Sequence, residues 1–375
     1  MCQPPPCDAP RTASLGRAPT RLLLAAWLLA VGLLPGGRVS GAEPAAKPAP
    51  AEKDRPDTDA ARWLTPAAEK AAARGLDYLV SKQQPDGTFG GGGFRGNVAV
   101  VGLCGLAMIA GGSTPGRGPH GPNVALALDY ILANCQESGF INPAGFAYQG
   151  QMYGHGFATL FLAECCGMTP RPDAREKLAK AVKLTVNTQN DAGGWRYQPE
   201  KMPADISVSM SQVMALRAAR NAGIFVPKET IERALSYIKK SQNRDGGFRY
   251  MLIGPEQSAF PRSAAGVAGL YSLGVYEGPE LTKGLDYLMQ FAPQPGVVRR
   301  DMGWDYYGHY YAAMAMWQAG GERWAKWYPA VRDDLVLKQQ PSGAWDDPAV
   351  SPEFGTAAAC IVLQVPNNYL PIFQR

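Results

Sequence analysis

The chain of 375 residues is 46% hydrophobic and 18% charged, which excludes a disordered or fibrous protein and leaves ample material for a globular core. Its formal charge of +5 is concentrated at the start, where Arg11, Arg17, Arg21 and Arg38 face only Asp8 within residues 1–42. The remainder is nearly neutral and carries no clustered basic face, so no nucleic-acid partner is expected.

Arg11, Arg17 and Arg21 precede the apolar run Leu22 to Leu34, and the small residues Ser40 and Ala42 follow at cleavage-like spacing. This is the pattern of an export signal, residues 1–42. The run is short for a membrane span, which needs about 20 apolar residues. No span is expected after cleavage, and the mature chain is expected in the periplasm or outside the cell. Residues 43–62 are Pro, Ala and charge without an apolar period, a solvated tether. The ordered domain, residues 63–375, opens at Trp63 and Leu64. Thr65 suits a helix N-cap, and Pro66 suits the first helical position, where its missing N–H is not needed.

The stretch from Arg74-Gly75 through Tyr78-Leu79 to Gln83, Gly87 and Phe89 reads as the end of a helix, a glutamine, then a glycine turn closed by an aromatic. The phrase returns with Gln189, Gly193 and Trp195, with Gln242, Gly246 and Phe248, and with Gln339, Gly343 and Trp345. Two eroded copies fill the gaps, one running to Cys135 and Gly139-Phe140, the other being Lys283 to Leu288. Aligned on Gly75, Ala127, Ala181, Ala234, Gly284 and Val331, the six copies recur about every 50 residues, the mark of a repeat architecture.

Each unit supplies two helices. The first is amphipathic, as where Ile231, Leu235 and Ile238 recur at helical spacing. The second is apolar nearly all round and rich in small residues: Val98 to Ile109, Gly156 to Cys166, Val208 to Ala219, Ala264 to Leu273, Tyr310 to Ala319 and Gly355 to Val365. A helix without a polar face is buried on every side. Proline at expected helix starts (Pro122, Pro172, Pro227, Pro279, Pro352) and glycine at expected exits (Gly111, Gly167, Gly223, Gly274, Gly320) punctuate the series. About twelve helices alternating between an exposed and a buried ring predict an all-α (α/α)6 toroid of six helical hairpins. In the turn phrase, glycine allows the chain to reverse, the glutamine amide satisfies backbone groups open at helix ends, and the aromatic pins the turn to the next unit. The mature cysteines, Cys104, Cys135, Cys165, Cys166 and Cys360, read as small buried hydrophobes, with pairing open in an oxidising compartment.

This phrase resembles the QW motif of the prenyltransferase and squalene-oxidase repeat family. Residues 74–89 match it at every defined position, residues 233–248 nearly so, and the resemblance covers about 63–375. It implies an α/α toroid with an apolar central cavity. Chemistry in that family lies in other residues, and none carries over. The acid motif of squalene-type cyclases, Asp-x-Asp-Asp, fails at Asp333-Asp334, preceded by Val331, and at Asp346-Asp347, preceded by Ala344. The Asp-x-Cys of zinc-dependent protein prenyltransferases has only Glu164-Cys165-Cys166 as a near variant. His155 and Cys166 on one helix would stand about 16 Å apart, too far to share an ion; His309, from another unit, stays open as a partner of the cysteines, but no metal and no cofactor is expected. The thioester motif Cys-Gly-Glu-Gln fails because Cys166-Gly167 continues as Met168-Thr169.

A rim remains as the candidate site. Inner helices begin after the turns, so their N-termini share one mouth. Near those starts lie Tyr153-Gly154-His155 in the second unit and Tyr307-Gly308-His309 in the fifth, expected to face each other and to be the catalytic candidates. Arg95, Arg196 with Tyr197, and Arg249 with Tyr250 follow the turn aromatics, and with Trp304 and Asp305 they form the expected binding set for an apolar or anionic ligand. The same His and Arg residues also fit simple capping roles. Three functions stay open: a binding toroid for a ligand, polysaccharide or protein partner with no chemistry of its own; a diverged isoprenoid transferase or cyclase; and a polysaccharide lyase using Tyr and His at the mouth.

Overall fold

A computed structural model describes residues 60–90, 92–145, 150–294 and 304–374. The expected signal and nearly all of the expected tether lie outside the described residues. A short helical turn, α1 (Ala60–Trp63), precedes twelve longer helices. In chain order these are α2 (Pro66–Lys82), α3 (Val98–Ala110), α4 (Gly121–Ala133), α5 (Gln151–Cys166), α6 (Pro172–Thr188), α7 (Ile206–Asn221), α8 (Lys228–Ser241), α9 (Phe260–Ser272), α10 (Pro279–Met289), α11 (Asp305–Ala319), α12 (Gly321–Lys338) and α13 (Pro352–Gln364). Among the described residues there is no β-strand beyond isolated bridges. No helix there is long and apolar enough to cross a membrane.

Odd-numbered helices from α3 to α13 form an inner ring: each packs on the next, and α13 packs back on α3. In α3 every residue but Ala99 is buried. Even-numbered helices form the outer ring and bury one face each. In α8 that face is Thr230, Ala234, Tyr237, Ile238 and Ser241, with Ile231 and Leu235 on its flank. The buried stripe thus mixes the small Thr230, Ala234 and Ser241 with the large Tyr237 and Ile238. Thr65 caps α2, its hydroxyl accepting from the Ala68 N–H at 3.2 Å.

Four glutamine amides bridge units. Gln83 Nε2 donates to the carbonyls of Gly87 (3.4 Å) and Asn123 (3.0 Å), and Gln189 to those of Gly193 (2.9 Å) and Thr230 (3.0 Å). Gln242 donates to Gly246 (3.0 Å) and Glu280 (2.8 Å). Gln339 does so to Gly343 (2.9 Å) and Ala71 (2.8 Å), closing the last unit onto the first. Cys135 stands in the glutamine register of the second unit, its thiol 3.9 Å from the Lys177 carbonyl. Ala292 occupies the same register in the fifth unit, where the glutamine of the other copies is replaced by a side chain without an amide.

The turn glycines are required by both backbone and space. At Gly193, φ is +96° and a Cβ would stand 2.1 Å from the Arg233 carbonyl; at Gly343, φ is +92° and the Arg74 carbonyl would be 2.6 Å away. Such contacts admit only glycine. The closing aromatics Phe89, Trp195, Phe248 and Trp345 are all but fully buried. The backbone N–H groups of three of them reach hydroxyls near the start of the following inner helix: Trp195 to Ser209 (2.9 Å), Phe248 to Ser263 (2.8 Å) and Trp345 to Thr356 (3.0 Å).

The opposite end of the ring is covered by the C-terminal segment. After α13 the chain forms two short 3-10 turns, Val365–Asn367 and Pro371–Phe373, that bury Val365, Leu370, Ile372 and Phe373. Gln318 of α11 donates to the Phe373 carbonyl. Glu164, near the end of α5, accepts from the Ile372 backbone, and burial raises its carboxyl to about 8. Among the described residues Cys104, Cys135, Cys165, Cys166 and Cys360 are free thiols, and Cys104, Cys165 and Cys360 are buried.

Candidate functional site

At the end where the inner helices begin lies a cavity of about 540 Å³. All six inner helices, or the residue just before them, contribute: Asn97 and Val100, Tyr153 and Phe157, Ser207, Pro261 and Arg262, Trp304 and Tyr307, Val350 and Phe354. Tyr197 and Tyr250, from turns after α6 and α8, complete the wall. Below, the axis is filled. Phe157 of α5 meets Tyr310 and Tyr311 of the opposite helix α11, with ring centroids 6.0 and 6.4 Å apart, and all three are buried. The implied central cavity is therefore a bowl at one mouth, closed beneath by aromatic rings.

Tyr153 and Tyr307 lie in the same register of opposed helices and line this bowl, with Ser207 between them; Tyr307 Oη donates to the Ser207 carbonyl at 3.4 Å. Burial pushes both phenols well above the ordinary tyrosine value; the charge of Asp205 adds to the rise for Tyr153, and Tyr153 itself adds to it for Tyr307. At neutral pH both are therefore protonated hydrogen-bonding groups and supply no base. Tyr197 and Tyr250 share a hydroxyl–hydroxyl bond. Arg196 lies 4.2 Å from the Tyr197 ring centroid and also donates to the Tyr250 hydroxyl at 3.1 Å.

The histidines do not join the tyrosines. Inner helix α5 begins at Gln151, five residues ahead of the expected start, so His155 sits in its second turn facing α6 and is fully buried. Its Nδ1 accepts from the Ile141 N–H (3.2 Å), which leaves Nε2 to donate to Thr185 Oγ1 (3.0 Å). Thr185 in turn donates to Gln212 Oε1 (3.3 Å), and Gln212 to the Met152 carbonyl (2.7 Å). His155 therefore does for the second unit what Ser209, Ser263 and Thr356 do elsewhere, and Ile141, not Phe140, holds the position of the turn aromatic. Burial lowers the His155 pKa to about 4, so it is neutral and structural. His309 packs against the rings of Phe260 (5.1 Å) and Trp327 (6.1 Å) and is likewise outside the cavity wall. The expected pair of histidines facing across the mouth is corrected accordingly.

The arginines need the same correction. Arg95 is exposed. Arg249 is held by Asn243 (3.1 Å) and Glu256 (2.6 Å). Arg196 pairs at 3.0 Å with the fully buried Asp205, which also caps α7 by accepting from Val208 N–H at 2.9 Å. Burial raises the Asp205 carboxyl to about 6 against the pull of Val208 and Arg196. Asp305 is half-buried in the first turn of α11 and outside the lining. The cation that does line the cavity is Arg262, a residue the sequence reading passed over. The signal for it was local: Pro261 marks a helix start, and the next residue falls in the first turn at the mouth.

Trp304 precedes α11 with φ +63° and ψ +30°, and is half exposed at the cavity edge. Its counterpart before α5 is Gly150, at φ +93°. A left-handed conformation costs a side-chain-bearing residue about 1–2 kcal/mol, and here it holds an indole beside the opening.

Among the described residues no three His, Cys, Asp or Glu side chains gather as a metal site, and none of the described cavity-lining side chains is a carboxylate.

No protein-family model matches the chain, and no curated protein matches it in sequence. Solved structures do resemble it. An inactive variant of an alpha-1,6-mannanase of Salegentibacter sp., in complex with alpha-1,6-mannotetrose, aligns with a TM-score of 0.60 at 10% identity over 81% of this chain and 100% of the mannanase. The type II terpene cyclase MstE from Scytonema aligns with a TM-score of 0.57 at 14% identity over 81% of this chain and 99% of the cyclase. Its complex with merosterolic acid A gives 0.56 at 13% identity, over 80% and 97%. These likenesses show the fold, an all-α toroid of the terpenoid-cyclase and mannanase kind.

Proposed function

We propose that this chain is an exported binding toroid that holds a compact, hydroxyl-bearing ring ligand, a short saccharide, in the bowl at its open mouth. The carrying observation is the wall itself: tyrosine, phenylalanine and tryptophan rings interleaved with phenol, amide and hydroxyl groups, and no carboxylate among the described lining residues. Aromatic faces bind the apolar face of a sugar ring, while their hydroxyls meet its rim. The volume of about 540 Å³ suits a few rings. Support comes also from a toroid neighbour captured with alpha-1,6-mannotetrose. The basic and apolar N-terminal run supports export, and the repeated turn phrase supports distant membership of the prenyltransferase and squalene-oxidase repeat family.

Cleavage or cyclisation needs a proton donor or base of suitable strength, and the tyrosines, raised by burial, do not offer one. A terpenoid ligand is the second reading, favoured by the apolar side of the bowl at Val100, Phe157, Val350 and Phe354. Titration of the mature protein with oligosaccharide and terpenoid panels, followed by tryptophan fluorescence and calorimetry, tests the proposal. Saturable saccharide binding weakened by Tyr153→Phe and Tyr307→Phe is expected, with the ligand recovered unchanged. Recovery of cleaved or cyclised product, or binding of terpenoids alone, overturns it.

A further inference from the structure

Arg262 differs from Arg196 and Arg249. Its Nε donates to the Phe248 carbonyl at 3.0 Å, and one terminal nitrogen donates to the Gln257 carbonyl. These two bonds fix the plane of the guanidinium. The other terminal nitrogen has no hydrogen-bond partner among the described residues, and no described carboxylate pairs with the group. Arg196 and Arg249, by contrast, are matched by Asp205 and Glu256. Tyr250 and Tyr287 stand near Arg262 and are neutral phenols whose acidity is reduced by burial. Arg262 is therefore a half-buried, oriented positive charge with no counter-ion among the described residues, and the only charged side chain among the described residues lining the cavity. Burying a charge without a counter-ion is costly, and a planar fork held by two backbone carbonyls is pre-organised to receive a carboxylate.

We infer that the ligand of this cavity is a six-membered ring bearing a carboxylate, with Arg262 gripping the carboxylate and Trp304 covering the ring. The inference rests on the binding reading above and narrows its ligand class. Two sources share this chemistry, an acidic sugar and an aromatic carboxylate, and the backbone strain kept at Trp304 serves either by stacking.

The test uses the mature full chain and three probes in calorimetry: an aldobiouronic acid, the same disaccharide reduced at its carboxyl to a neutral sugar, and 4-hydroxybenzoate. The acid is expected to bind about tenfold or more tightly than its reduced twin, the scale of a charge-assisted contact. Arg262→Gln should erase that difference while leaving the neutral twin within about twofold, and Arg262→Lys should keep part of it. Tighter binding of 4-hydroxybenzoate than of the sugar acid, with the same dependence on Arg262, supports the carboxylate contact, assigns the aromatic source and overturns the saccharide reading. If Arg262→Gln fails to fold, a salt titration of the unmodified protein decides, because an ionic contact weakens with ionic strength. Equal affinity for the acid and its twin, or an acid preference indifferent to both salt and Arg262, overturns the inference and leaves saccharide binding standing. Failure of all three probes to bind overturns both.

Discussion

The two ends of the toroid are built from opposite materials. At the mouth that holds the cavity, units are joined through polar backbone groups: amides of Gln83, Gln189, Gln242 and Gln339 on carbonyls, and turn N–H groups on Ser209, Ser263, Thr356 and His155. At the other end the tail lays Leu370, Ile372 and Phe373 over the ring. Directional bonds around a rim leave the middle free, whereas apolar side chains fill whatever middle they find. The end that is fastened at its edge can hold a ligand, and the end that is packed cannot.

Substitutions that attack each end should separate these two modes of closure. Trp345→Ala should have the largest effect, because the indole is fully buried and donates to the Leu335 carbonyl at 2.8 Å. A loss of about 3–5 kcal/mol in urea denaturation is expected. Titration should next pull the ends apart. His155 is depressed to about 4 from 6.5, so the unfolded chain takes up its proton first. Stability present above pH 6.5 then falls as pH drops towards 4, by on the order of 3 kcal/mol at about 1.4 kcal/mol per unit. Glu164 at the packed end is raised to about 8 from 4.5; its share of stability is present below pH 4.5 and is lost as pH rises through 8. Asp205, raised to about 6, acts in the same sense as Glu164 over a narrower window. Melting temperatures across pH should show a flatter acid limb in His155→Gln and a flatter alkaline limb in Glu164→Gln.

Smaller changes grade the fastening of the rim. Gln339→Ala leaves two carbonyls short of a donor at the seam between last and first units, and about 2 kcal/mol of destabilisation is expected by denaturation. The thiol of Cys135 makes a weaker contact in the same register, so Cys135→Ala should cost well under about 1 kcal/mol. Trp304→Gly should stabilise the fold by about 1 kcal/mol through release of the left-handed conformation while weakening ligand binding, read by a melt and a titration on the same variant.

Much of this architecture was legible in the sequence because it repeats. The glutamine, the turn glycine and the aromatic recur at one spacing, and in the four copies that keep the glutamine its amide reaches the same two kinds of carbonyl, so one correct assignment carried several others. The inner helices announced themselves by lacking any polar face. What repeats imperfectly was harder to read. Ile141 takes an aromatic position and His155 a hydroxyl position, and both substitutions sit in the eroded second copy. The start of α5 is capped by Gly150, which has no side chain to act as a capping signal, and so five residues of helix went uncounted. Those five residues turn His155 from the mouth into the wall. Arg262 follows no turn aromatic, and its lack of a carboxylate partner among the described residues is a property of neighbours brought together only by folding. The tail escaped notice because a short apolar segment near a chain end carries no periodicity.

The bond from Gln339 to Ala71 joins positions 268 residues apart. A nascent chain therefore emerges with its first hairpin lacking one of its two neighbours, and the buried face of α2 has to wait for α13. Until the final unit is synthesised, the growing arc presents two greasy edges instead of none, which is a demand for chaperoning that an open solenoid, able to settle unit by unit, would not make.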